Sequence, residues 1–283
     1  LKSESKAMLS PNSAPIGVFD SGYGGLTVLK QLLAHLPHYD YLYLGDNART
    51  PYGSRSFETV YQFTLESVRY LFAQGCPLVI LACNTASAKA LRTIQQQDLA
   101  AIDSTRRVLG VIRPSVEAVG ALTQTGHIGV LGTSGTVSSQ SYYIEIHKLF
   151  PKIQVFQQAC PMWVPLVENN EYQSLGADFF IERDIKQLFA QSSQIDTLIL
   201  ACTHYPLLIE KIKKYVPQGV RILAQGEIVA QSLADYLQRH PDMAQRCSQQ
   251  GQRHFLTTDN VELFNQQAAV FLGTSVQAIK IHT

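Results

Sequence analysis

The residues ILAC occur twice, in LVILACNTAS (Leu78 to Ser87) and in TLILACTHYP (Thr197 to Pro206). Each copy is an apolar, strand-like run that ends in a cysteine and then turns polar. Ligands of open parallel sheets bind beyond the carboxyl ends of the strands, where loops lead into helix N-termini. A thiol placed there, Cys83 or Cys202, meets unpaired N–H groups and a positive potential that favour thiolate. It needs such help, since a free thiol with a pKa near about 8.5 is only slightly ionised at neutral pH. Asp20 ends the strand-like IGVFD and His204 stands two residues after Cys202. A carboxylate or imidazole within reach of a thiol can take its proton or orient it. Hydrolysis by a thiol uses one nucleophile and a His, while disulfide exchange usually wants cysteines close in sequence, which this chain lacks. Moving a proton from one face of a carbon to the other needs a base on one side and an acid on the other, and two thiols flanking one small ligand fit that task.

The elements that must hold these residues alternate. PIGVF is followed by Leu26, Leu29, Leu32, Leu33 and Leu36 at helical spacing before Pro37, then by YLYLGD, then by a helical stretch from Phe57 to Phe72 that ends at Gly75. LVILA is continuously apolar, as in a strand covered on both faces. A second series, VLGVI, HIGVLG, IQVFQ, TLILA and VRILA, begins near Val108, and HFLTT is a further strand-like run near the C-terminus. This alternation predicts an α/β protein with mostly parallel sheets flanked by helices. Besides ILAC, the chain repeats IGVFDSGYGG from Ile16 as IGVLGTSGT from Ile128, in the same order and at nearly the same distance. Two pseudo-symmetric domains are therefore expected, with the site in the cleft between them. Residues 14–107 plus 225–283 form the first, with Cys83, residues 108–224 form the second, with Cys202, and residues 1–13 form an N-terminal extension.

Composition narrows the class of function. With 23 Lys and Arg against 22 Asp and Glu in 283 residues, no basic face announces nucleic acid and no charged tail stands out. No apolar run approaches the roughly 18 residues of a membrane span, and LKSESKAMLSPNS lacks the apolar stretch of a secretory signal. A cytoplasmic protein is expected. Cys76, Cys83, Cys160, Cys202 and Cys247 make an odd count without short repeated spacing, which argues against a disulfide framework and a zinc knuckle. Cys76, Cys160 and Cys247 follow no strand-end motif of this sort and are assigned to structure, and His127 and His147 have no motif around them.

DSGYGGLTVL, GDNARTPYG, ACNTASA, GTSGT, CPMWVPLVE and ACTHYPLL, in this order over roughly residues 15 to 270, resemble the glutamate racemases of the cofactor-independent amino-acid racemase superfamily. The resemblance implies that Cys83 and Cys202 are the two acid/base residues. Cys202 would abstract the α-proton of L-glutamate and Cys83 would return one to the opposite face, with the roles exchanged for D-glutamate. Asp20 and His204 would assist their neighbours, with Glu168 a further member of this shell. Ser21, Pro51, Tyr52, Gly53, Asn84, Thr85, Thr136 and Thr203 match positions that hold the substrate's carboxylates and ammonium group. The family uses neither metal nor pyridoxal phosphate, pairs as homodimers through different faces, serves peptidoglycan synthesis in the bacterial cell wall and has members activated by a cell-wall precursor.

Plainer readings stand beside these. Pro51 and Tyr52 could form an ordinary turn, the Thr residues could cap helices, and Glu168 could be a solvated helix residue. An aspartate racemase of the same superfamily, or a catalytically silent binding member, are the alternatives. The stretch RILAQGEIVA departs from the family at Ala224 and Gln225, where an acidic residue and a small hydroxyl or Pro usually precede the Gly. Local packing or regulation is where that difference is expected to act.

Overall fold

The structure is a computed structural model that describes residues 14–282. The extension expected at residues 1–13 lies outside the described residues. The strands are β1 (Ile16–Asp20), β2 (Tyr41–Gly45), β3 (Leu78–Leu81), β4 (Arg107–Gly110), β5 (His127–Gly132), β6 (Gln154–Ala159), β7 (Thr197–Ala201), β8 (Arg221–Ala224), β9 (Arg253–Thr257) and β10 (Ala278–Lys280). They form two sheets, β10-β9-β2-β1-β3-β4 and β6-β5-β7-β8, in which every ladder is parallel.

Local sequence explains the elements. β1, β2, β3 and β7 are buried at every residue, the environment that continuous apolar runs require. The helix Leu26–His35 turns Leu26, Val28, Leu29 and Leu32 to the core. The helix Phe57–Ala73 starts at Ser56, whose hydroxyl accepts from the Thr59 N–H at 3.2 Å, and stops ahead of Gly75 at φ 94°.

The two sheets share a plan. β2-β1-β3-β4 and β6-β5-β7-β8 have the same order, and the repeated motifs occupy the corresponding central strands, IGV on β1 and β5 and IL of ILAC on β3 and β7. Their C-terminal ends carry the loops that meet in the cleft. The strand at 107–110 corrects the division expected from sequence. β4 pairs with β3 from Leu78↔Arg107 to Leu81↔Gly110, and Val108 is buried in the first unit's core with Val79 and Leu81. The second unit's core instead begins with Ile112, Val116 and Val119, packed against Ile128 and Val130. After β8, the helix Gln225–Arg239 returns to the first unit, where Val229, Leu233 and Leu237 join the cluster that holds Leu26 and Leu29. Among the described residues no helix is long and apolar enough to cross a membrane.

Candidate active site

Cys83 lies two residues beyond β3 as the N-cap of the helix Asn84–Lys89, and its Sγ accepts from the Ala86 N–H at 3.5 Å. Ser21 Oγ is also 3.5 Å from the sulfur. Here the expectation that a helix start favours thiolate is overturned. Burial, and then the negative charge of Asp20, push the Cys83 thiol up to about 12, outweighing the bonds from Ser21 and Ala86. Cys83 therefore carries its proton at neutral pH.

Cys202 follows β7 directly, but no α-helix starts there. A 3₁₀ turn, Tyr205–Leu208, forms only after His204. The help comes from that imidazole: His204 Nδ1 is 3.8 Å from Cys202 Sγ, and Nε2 is 3.0 Å from Glu168 Oε1. Burial would drive His204 to its neutral form, yet the Cys202 sulfur and the Glu168 carboxylate outweigh it and hold the imidazole up to about 10. Glu168 ends the short helix Trp163–Glu168, and Phe271, from the last helix of the first unit, sets its ring edge-on to His204 at 5.6 Å.

Asp20 touches both units. Its Oδ1 accepts from the Gly22 N–H at 2.9 Å, and Thr203 Oγ1, in the loop of the other unit, lies 3.5 Å from Oδ2. Burial raises its carboxyl above the ordinary carboxylate range, opposed by the charge of His204. Gly24 of SGYGG makes this approach possible. A Cβ on Gly24 would lie 2.3 Å from Thr203 Oγ1 and 2.5 Å from His204 Nδ1, closer than side chains can stand. Its use is close packing of the two loops. Thr27 Oγ1 adds a bond of 2.9 Å to the Thr203 carbonyl.

Cys83, Cys202 and His204 line one cavity of ≈ 100 Å³ between the units. Seven of the residues matched from sequence line it with them: Ser21, Pro51, Tyr52, Gly53, Asn84, Thr85 and Thr203. Asp20, Glu168 and Thr136 stand behind its wall. Thr136 is fully buried and supports Thr85 and Thr133, whose hydroxyls are 3.4 and 3.1 Å from its own. Thr133, which sequence reasoning passed over, reaches the cavity instead; its cue was the first Thr of GTSGT, an N-cap whose hydroxyl accepts from the Thr136 N–H. Tyr52 contributes no free hydroxyl, because its O–H donates to Asp46 Oδ2 at 2.5 Å. Asp46 also accepts from Arg49 Nε at 2.7 Å and Thr258 Oγ1 at 2.9 Å, so this unforeseen carboxylate clamps the loop that carries Pro51 to Gly53. Gly53 in turn accepts from the Gly135 N–H of the other unit at 2.7 Å.

A larger cavity, of ≈ 630 Å³, is lined by Lys89, Arg92, Arg113, Glu145 and Tyr236. It contains neither Cys83 nor Cys202. Of these two cavities the smaller is the candidate site, because it gathers Cys83, Cys202, an imidazolium and several hydroxyl and amide groups in a buried space; Cys160, assigned to structure from sequence, also lies on its wall.

Known proteins resemble the chain over most of its length. Residues 24–233 match the family model of Asp/Glu/Hydantoin racemase. A glutamate racemase of Geobacter metallireducens is 38% identical over 262 residues, covering 91% of this chain and 92% of that protein. A glutamate racemase isoform of Bacillus anthracis superposes with a TM-score of 0.87 at 35% identity, over 96% of this chain and 98% of the other. The Francisella tularensis glutamate racemase, crystallised with D-glutamate, gives 0.85 at 31% identity, over the same shares. With this cleft, this pair of thiols and these relatives, the chain belongs to the Asp/Glu/Hydantoin racemase family of isomerases.

Proposed function

We propose that the protein interconverts L- and D-glutamate, moving the α-proton by way of Cys83 and Cys202, and so supplies D-glutamate for peptidoglycan synthesis. The observation that carries this reading is one small cavity in which Cys83 of the first unit and Cys202 of the second are both buried, each with a different helper, Asp20 near the one and His204 beside the other. The relatives' substrate supports the choice of glutamate.

In the L-to-D direction, Cys202 as thiolate takes the α-proton, and the pair of electrons left on the carbon receives a proton from the Cys83 thiol on the other face. Turnover ends with Cys202 as thiol and Cys83 as thiolate, which is the starting state for D-glutamate. The imidazolium of His204 donates toward Cys202, and Glu168 keeps it charged and oriented. Asp20 keeps the proton on Cys83 until it is needed, and a substrate ammonium group would offset that carboxylate in the reverse direction. Negative charge that grows on the α-carboxylate as the proton leaves meets donors already in place: Ser21, Asn84, Thr85 and Thr203. The amino-acid α-carbon is a very weak acid, so a closed, water-poor cavity that strengthens these bonds is required.

The test is racemisation by Cys83→Ala and Cys202→Ala, followed by circular dichroism of the substrate. Each truncation removes one obligatory proton carrier, so kcat should fall by at least about 10³-fold while far-ultraviolet spectra stay native. Substantial turnover by either variant would sink the two-thiol reading.

A further inference from the structure

We propose that Gln225 is a positioning residue: a closed ring of hydrogen bonds with Asn84 and Tyr142 makes Asn84 present a donor to the cavity. The inference rests on that cavity being the racemisation site.

The ring is built from three elements. Gln225 opens the helix Gln225–Arg239 just beyond β8, Asn84 opens the helix after Cys83, and Tyr142 lies in the helix Ser141–Leu149 of the second unit. Asn84 Nδ2 donates to Gln225 Oε1 at 2.6 Å, Gln225 Nε2 donates to the Tyr142 hydroxyl at 2.6 Å, and that hydroxyl donates to Asn84 Oδ1 at 2.7 Å. All three residues are buried, with Gln225 the most exposed at 4%.

The direction of the ring is fixed from outside it. Ser115 Oγ gives its hydrogen to the Val111 carbonyl at 2.8 Å, so toward Gln225, 2.7 Å away, it can only accept. The Val111 carbonyl, 3.4 Å from Gln225 Nε2, can also only accept. The end of Gln225 that faces them is therefore the NH₂ group, and its carbonyl faces Asn84. Asn84 must answer with its own NH₂ and give its oxygen to Tyr142. Its oxygen is then turned into the wall toward Tyr142, and one N–H remains for the cavity that Asn84 lines. An amide that could present either end becomes a donor, the group a substrate carboxylate takes. A Ser or Pro at 225 lacks the length and the two-ended amide that this bridge needs. Val111 and Gln225 also stand where the chain crosses between the units, after β4 and after β8, so the ring ties the crossovers to the site.

The experiment measures kcat and KM for both enantiomers in Gln225→Met and Tyr142→Phe, each alone and in an Asn84→Ala background. Gln225→Met keeps the volume and removes both amide ends. It should raise KM about tenfold, as loss of one directed hydrogen bond would, with kcat changed less than about threefold. In the Asn84→Ala background it should cost nothing further, because its effect passes through Asn84. Equal losses in both backgrounds, or no change in KM, would overturn the proposal, since a merely structural Gln225 would act without regard to Asn84. If Gln225→Met does not fold, Tyr142→Phe decides the same question by removing one hydroxyl. Inactivity of the wild-type chain on glutamate would instead contradict the reading of the site. The ring is then judged by NMR of the full chain: the Asn84 side-chain amide protons should exchange slowly in the wild type and fast in Gln225→Met, and fast exchange in the wild type would contradict it.

Discussion

His204 sits between a sulfur and a carboxylate, and those two neighbours decide its charge. Its ordinary value is 6.5, and in the fold it is held at about 10 despite burial, by Cys202 and Glu168. A group whose folded value lies above its unfolded one contributes stability in its protonated form. That contribution is full below about pH 6.5 and is lost as pH rises toward 10. The His204 ring should therefore still be protonated at pH 8 by ¹⁵N-edited NMR, and Glu168→Gln should bring its midpoint down. A wild-type midpoint near 6.5 would contradict the arrangement. Cys83 is shifted in the sense that suits a proton donor, because burial and Asp20 keep the thiol protonated. Asp20, Cys83, Cys202 and His204 were legible in the sequence because each lies at or just beyond the end of an apolar run. Glu168, 36 residues from His204, has no such local mark and was reached only through the resemblance. Asp46 stands inside GDNARTPYG but was given no role, since part of its clamp comes from Thr258, 212 residues away.

At the scale of elements, the loops do what the strands prepare. Gly24 lets the loop after β1 press against Cys202–His204, and a methyl group there would meet Thr203 Oγ1 at 2.3 Å and His204 Nδ1 at 2.5 Å. Gly24→Ala should therefore lower kcat by about 10²-fold through displacement of the imidazole, with a melting temperature that shows the fold to be retained. Undiminished kcat would mean that the close approach is not needed. The strands were readable where they are apolar throughout, as in β1, β3 and β7. β10 has three residues and carries no pattern long enough to read. β4 was read as a strand but given to the wrong unit, because VLGVI alone does not say which sheet it will join; burial of Val108 with Val79 and Leu81 decides that.

At the scale of the molecule, two units of the same strand order face each other, and the duplication explains why one thiol recurs at one kind of strand end. Neither unit holds a complete site. Asp20 and Gly24 of the first reach Thr203 and His204 of the second, while Thr133 and Gly135 of the second meet Thr85 and Gly53 of the first. The symmetry is one of framework, for the helpers differ: a carboxylate backs Cys83, and an imidazolium with its own carboxylate backs Cys202. The most direct test of this account is to incubate the wild-type protein with L-glutamate in D₂O without added cofactor and to follow deuterium at Cα in both enantiomers at early times. Two thiols on opposite faces predict that D-glutamate appears carrying deuterium while the remaining L-glutamate still carries protium. Product that retains protium, or equal early deuteration of both enantiomers, would point to a single base and contradict it.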